Sequence, residues 1–417
     1  MDRSIVARAG ILESEFKSDL MDNVIPFWEK YSPDREMGGY YSCLDRDGSV
    51  FDTDKFLWMQ GRELWCLSML HRCVTPRDEW LDLARHGAEF IHRYGKADNG
   101  DYYFSLDRGG KPLVHPYNIF SDCFCAAGLA EYGKASGETW AVQSALKTWR
   151  RIQERALNPK GIWTKQIPGA RPARAMAMSM IQLWMAEVFD GIIPSGELAG
   201  VVTTSIGAVL RHHIDREKKA VFERVLPDGR PLQGMDGRLL SPGHALETLW
   251  FILNALRKLP EESKADIELP PKYSVTNLVG AISETMLWTI ERGWDSTFGG
   301  IYYYRDFEGR PTDKLEADMK LWWVHAEALC AFLLAHRMTG ERVYWDWFET
   351  IWAWTKEHFP DPEYGEWFGY LDVRGEPALS LKGGKWKGMF HIPRALLVCS
   401  NLLAEYGRSD NVSNLHS

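Results

Sequence analysis

Four short stretches set ionisable side chains inside otherwise apolar runs. Trp58-Met59-Gln60-Gly61-Arg62 carries an amide and a guanidinium, and Ser241-Pro242-Gly243-His244-Ala245-Leu246-Glu247 places a histidine three residues before a glutamate. Lys320 and Glu327 stand seven apart around Trp322, and His391 and Arg394 repeat the three-residue spacing. On a helix, residues three or seven apart share a face, so each pair would present its groups together, with His325 turned elsewhere. Histidine changes charge near neutral pH, with an ordinary pKa of ~6.5, which suits it to moving protons. A guanidinium in a dry pocket suits a developing negative oxygen. Lys, Glu and Arg are seldom buried without a partner or a task.

Other chemistries find weaker support. His244, His391, Glu247 and Glu327 could ligate a metal, but no His-Glu-x-x-His run or cysteine cluster accompanies them, and Cys123 and Cys125 lack zinc-knuckle spacing. No glycine-rich phosphate loop opens a helix after a strand. Lys382-Gly383-Gly384-Lys385-Trp386-Lys387-Gly388 reads as a mobile loop over a pocket mouth rather than a phosphate cradle. Glu247 and Glu327 as paired carboxylates would suit glycan cleavage, although hydrolysis has no need of two histidines.

A repeated motif supplies the elements that must position these groups. Gly38-Gly39-Tyr40-Tyr41 runs into Asp47-Gly48, Asn99-Gly100-Asp101-Tyr102-Tyr103 into Gly109-Gly110, and Val221-Phe222-Glu223 into Asp228-Gly229. Gly299-Gly300-Ile301-Tyr302-Tyr303 runs into Gly309, Gly365-Glu366-Trp367-Phe368-Gly369-Tyr370 into Gly375, and Gly161-Ile162-Trp163 is a shorter version. Each copy has the pattern of a β-hairpin, and copies recur at roughly 60 to 80 residues. Between them lie two kinds of helical pattern. Segments such as 9–31, 78–95, 140–156, 274–292 and 342–358 are amphipathic, whereas 57–73, 117–132, 174–189, 243–257, 317–336 and 389–404 are apolar nearly all round. Buried helices alternating with half-exposed ones predict two concentric rings. The fold class is all-α: an (α/α)6 barrel, residues 1–417 as one domain, with short hairpins at one mouth and a polar, frayed tail after about 406. Polar residues in the first turns of the inner helices would then converge on a central pocket.

Composition agrees with a globular chain that builds its core without disulfides or metals: 417 residues, 45% hydrophobic and 25% charged. A net charge of -8 without a basic block argues against nucleic acid. The seven cysteines form no secreted framework and no leader or membrane span is evident, so a cytoplasmic location is expected. Most of the 19 tryptophans are core fillers, and a minority would line a pocket where flat sugar faces stack.

The runs Lys55–Arg62, Ser241–Glu247, Met319–Glu327, Gly365–Tyr370, Leu379–Gly384 and Lys387–Arg394 resemble the N-acylglucosamine 2-epimerases, also called renin-binding proteins. The likeness extends from about Phe27 to Leu403. It implies an (α/α)6 barrel, usually dimeric, that interconverts N-acetylglucosamine and N-acetylmannosamine without a required cofactor. ATP is implied as an activator that is not consumed. By motif, His244 and His391 correspond to the acid/base pair, and Arg62, Glu327 and Arg394 to positions needed for activity. The related mannose isomerases and cellobiose 2-epimerases carry a further histidine on the sixth helix. Here that helix reads Ala175-Met176-Ala177-Met178-Ser179-Met180, as in the N-acyl enzymes.

The resemblance implies abstraction and return of the C2 proton through an enediolate. His244 and His391 would serve opposite faces, and Glu247 would orient His244. Arg62, with Arg394, would stabilise O1. Glu327 and Lys320 would hold sugar hydroxyls or orient the pair, and Gln60 and Trp322 would hold the sugar. Alternatives within the superfamily are a mannose/glucose or cellobiose 2-epimerase or an aldose–ketose isomerase. Outside it, the alternative is a glycan-binding or protein-binding role.

Overall fold

The structure, a computed structural model, describes residues 2–413 apart from 166 and 168. The inner helices are α3 (Leu57–Cys73), α5 (Ile119–Ser136), α7 (Ala177–Val188), α10 (Pro242–Lys258), α13 (Trp322–Thr339) and α15 (His391–Ser413). The outer layer begins with α1 (Arg3–Ser18) and α2 (Ile25–Tyr31), joined by a π-helical turn at Asp19–Val24. It continues with α4 (Asp78–Tyr94), α6 (Thr139–Arg155), α8 (Ser195–His212), α12 (Leu278–Gly293) and α14 (Arg342–His358). Two single-turn helices, α9 (Met235–Arg238) and α11 (Glu261–Lys264), lie in connections. Each inner helix packs on the next, from α3 through α5, α7, α10 and α13 to α15, while α1 packs on α15 and brings the two ends of the chain together. The inner helices are buried nearly all round, and the outer ones bury a single stripe. This is the two-ring pattern expected of apolar and amphipathic helices in alternation.

The inner helices meet through aromatic packing and small residues. Trp65 of α3, Trp184 of α7 and Phe390, just before α15, stand 5.4–5.5 Å apart edge to face and form a floor across the ring. Phe124 of α5 joins it, 5.2 Å from Phe390. Helices α3 and α5 approach so closely that a Cβ on Gly61 would lie 2.4 Å from the Phe124 carbonyl, and one on Gly128 2.5 Å from the Gly61 carbonyl.

The connections are stapled by a repeated buried ion pair. Asp34, Asp295 and Asp361 each follow an outer helix and cap the next turn, accepting from Met37 N, Thr297 N and Glu363 N. Each carboxylate holds a fully buried lysine: Lys55 at 2.9 Å, Lys320 at 2.9 Å and Lys382 at 3.0 Å. In two of these turns paired glycines, Gly38-Gly39 and Gly299-Gly300, take positive φ, a conformation that side chains other than glycine resist.

Two expectations need correction. The Gly161–Trp163 segment forms a 3-10 turn rather than a hairpin, and strand Arg174–Ala175 pairs instead with Arg224–Val225 of the next repeat. Likewise Arg305–Asp306 pairs with Leu239–Leu240 and not with its own return strand. These two pairings join neighbouring repeats, so local turn chemistry does not reveal them. The last helix runs from His391 to Ser413. No helix among the described residues is long and apolar enough to cross a membrane.

Gly61→Ala should lower stability by about 1–3 kcal/mol, because the added methyl has only the backbone of α5 to meet. Thermal unfolding against the parent measures this, and an unchanged Tm would contradict so close an approach.

Candidate active site

Residues at the second and sixth positions of an inner helix are four apart and stack on one face, while the fourth position lies about 200° from the sixth. This periodicity sorts the polar residues of the first turns. At the fourth position, Gln60 donates to Tyr40 O at 2.7 Å and accepts from Tyr40 N at 2.8 Å. Asp122 accepts from Tyr102 N at 3.0 Å, and His325 accepts from Ile301 N at 2.9 Å. All three hold the loops outside the ring. Gln60 therefore does not belong to the pocket, whereas His325 turns away as expected. At the sixth position stand Arg62, Glu247 and Glu327, which the ring brings together.

Arg394 unites them. Its Nη2 donates to Glu247 at 2.7 Å and to Glu327 at 2.6 Å. The second oxygen of Glu327 accepts from Trp250 Nε1 at 2.8 Å. Burial works against the Arg394 charge, but Glu327 and Glu247 outweigh it and hold the guanidinium protonated. Arg62 also lies over the Phe390 ring, its guanidinium 4.1 Å from Phe124, 4.6 Å from Trp58 and 4.9 Å from Phe390. No carboxylate among the described residues pairs with it, and its buried Nε has no partner. Burial lowers its pKa, yet a guanidinium stays cationic at neutral pH.

The two histidines each point Nδ1 at a carboxylate. His391 Nδ1 lies 2.6 Å from Glu327 Oε1. A carboxylate can only accept, so Nδ1 carries the hydrogen and Nε2 keeps its lone pair. Burial, reinforced by Arg62, holds His391 well below its ordinary pKa, so it is neutral at pH 7. At the N-terminus of α10, Ser241 caps the helix and Pro242 occupies the first turn, as the sequence predicts. His244 follows, and its Nδ1 contacts both oxygens of Glu223, at 3.1 and 3.2 Å. Burial opposes its protonation, but the Glu223 charge prevails and its pKa is raised to about 9. The Trp323 ring neighbours both imidazoles, 4.9 Å from His244 and 5.8 Å from His391.

Several sequence expectations change here. Glu247 holds Arg394, so the carboxylate beside His244 is Glu223, which ends the strand pattern Ala220-Val221-Phe222. An acid closing an apolar strand was the only local signal, and nothing in its spacing connects it with His244. Trp322 packs against Tyr370, with ring centroids 5.1 Å apart, and its neighbour Trp323 meets the histidines. Lys320 precedes the helix in a strand paired with Tyr370–Leu371, so helical spacing to Glu327 does not apply, and its ammonium belongs to Asp295. The Lys382–Gly388 loop is pinned rather than free: Lys382 pairs with Asp361, Lys387 pairs with Glu366 at 2.8 Å, and Trp58 Nε1 donates to Lys385 O. Glu247, Glu327 and His391 offer donor atoms within 4.8 Å of one another, as a cation site would, but one guanidinium nitrogen already binds both carboxylates.

Lys320→Met would leave Asp295 charged and buried. It should cost about 3–5 kcal/mol in unfolding experiments, while the KM of the folded fraction changes little. A raised KM with unchanged stability would return Lys320 to the pocket.

A family model described as N-acylglucosamine 2-epimerase (GlcNAc 2-epimerase) matches residues 39–395. The N-acylglucosamine 2-epimerase of Mus musculus is 36% identical over 92% of this chain and 90% of its own length. That of Homo sapiens is 36% identical over 92% of this chain and 88% of its own length. Among solved structures, the cellobiose 2-epimerase of Bacillus thermoamylovorans B4167 superposes with a TM-score of 0.77 at 21% identity, covering 94% of this chain and 99% of that one, a likeness in (α/α)6 fold. On a match over most of its length and on these identities, the chain belongs to the N-acylglucosamine 2-epimerase family.

Proposed function

We propose that the protein interconverts N-acetylglucosamine and N-acetylmannosamine by removing the C2 proton of the open-chain sugar and returning it to the opposite face. The observation that carries this reading is the pair of imidazoles that both neighbour Trp323, each with Nδ1 committed to a carboxylate and Nε2 left for the substrate. The identity to N-acylglucosamine 2-epimerases supports the choice of sugar. The C2 hydrogen is acidic because the adjacent aldehyde takes up the negative charge as an enediolate. Neutral His391 is the base for one epimer, and protonated His244 delivers the proton on the other face. In the reverse direction the roles exchange. Arg62, a buried cation with no counter-ion of its own, stabilises the oxygen that gains charge at O1, and each such donor contributes on the order of 3 kcal/mol in a dry site. Trp323 offers a flat apolar face to the sugar ring.

With either epimer in heavy water, the product should gain deuterium at C2 and His391→Asn should abolish this while the fold persists. Product formed without deuterium would rule out proton transfer. Assaying N-acetylmannosamine, mannose and cellobiose side by side tests the substituent at C2, and faster turnover of either unacetylated sugar would displace the N-acyl assignment.

The active form carries one proton on the two imidazoles, so the limbs of the pH profile report their two pKa values. His391 lies well below 6.5 and His244 near 9. kcat/KM should therefore stay level from the acid side of pH 6.5 to close to pH 9 and fall above it, as His244 loses its proton. A narrow bell centred on 6.5 would contradict this assignment.

A further inference from the structure

We propose that Glu223 is a positioning residue for His244: it binds the Nδ1–H of the ring and so turns Nε2, with its exchangeable proton, toward the substrate. This rests on the epimerase reading for the identity of the substrate, but not for the geometry. Both carboxylate oxygens lie within 3.2 Å of Nδ1, and the side chain is mostly buried. Its backbone is held on both sides. Glu223 O accepts from Met176 N at 3.0 Å, and Phe222 N donates to His213 O at 2.9 Å. The following residues, Arg224–Val225, pair with Arg174–Ala175. The strand pair that replaces the third hairpin therefore delivers a carboxylate to the mouth of the ring.

The two histidine–carboxylate contacts differ in charge. Glu327 shares its negative charge with Arg394, so it orients His391 without favouring the imidazolium. Glu223 pairs with no arginine or lysine among the described residues, so His244 receives its full charge. The other groups facing His244 are Glu247 on its own helix, Glu327 and Trp323 on α13, and His391 on α15. Tyr303 and Tyr304 lie near enough to Glu223 for its charge to raise both phenols, after burial. Of these charges Glu223 acts most strongly on His244, and the imidazolium follows.

The test compares the parent protein with the isosteric Glu223→Gln and the charge-keeping Glu223→Asp. NMR of the His244 ring in the full-length, substrate-free protein gives its titration midpoint. In Glu223→Gln this midpoint should fall by about 1 to 3 pH units. The alkaline limb of kcat/KM should fall with it, and kcat should drop about 10- to 100-fold with little change in KM. Glu223→Asp should restore much of the limb. A midpoint that stays in place in Glu223→Gln overturns the proposal, as does equal loss of kcat in both variants without movement of the limb, the result expected of a purely structural residue. A midpoint that moves in a protein that epimerises no sugar supports the Glu223–His244 pair and overturns the substrate reading alone.

Discussion

The contact on which the site depends is the single nitrogen of Arg394 that binds Glu247 and Glu327 together. It joins α10, α13 and α15 at the centre of the ring, where neither carboxylate could remain charged without a partner. With Arg62 near enough to feel both charges, the pocket holds two buried carboxylates and two buried guanidinium groups and is formally neutral. That balance has a consequence for His391. Protonating it would leave a net positive charge in a pocket walled by Trp184, Trp250, Phe251 and Phe390, so the imidazole stays neutral although it touches a carboxylate. A carboxylate alone would raise that pKa, and one already shared with an arginine orients the ring without doing so.

The ring makes such a cluster possible by separating two jobs around each inner helix. The inward face carries charge and aromatic rings. The outward face spends its polar groups on loop backbone: Gln60 on Tyr40, Asp122 on Tyr102 and His325 on Ile301. Buried lysine–aspartate pairs fix the Tyr40 and Ile301 loops as well, and the turn after Asp361. Buried ion pairs add little net stability over apolar packing, and their effect here is to set where each loop ends and each inner helix begins.

Much of this was legible in the sequence because it is local. Helix bounds follow from periodicity, and α3 and α14 fall where the pattern places them. The N-cap at Ser241 and the shared face of His391 and Arg394 follow from caps and three-residue spacing, whereas their common contact with Glu327 is set by packing between helices. Gln60 could have been set apart from Arg62 on the same grounds, since two residues on a helix are about 200° apart. Lys320 misled for a different reason. It precedes the helix, and strand pairing with residues some fifty positions later decides where it points. Glu223 was invisible to spacing, because its partner lies across a repeat boundary and its strand pairs with Arg174–Ala175 instead of forming a local hairpin.

Inverting a carbon by proton transfer requires two groups that differ in charge when substrate arrives, because a pair of neutral bases has no proton to return and a pair of acids cannot remove one. Identical surroundings would give two similar imidazoles and divide the population among charge states. This ring makes them unequal with similar parts. Each histidine has a carboxylate at Nδ1, but Arg394 neutralises one carboxylate and leaves the other unopposed. The partly exposed His244, at 31%, can keep its charge hydrated at the mouth, while His391, at 9%, lies against the floor where charge is costly. The asymmetry lies within one mouth: the strand there contributes Glu223 with no arginine, and the buried first turns contribute Glu327 with Arg394.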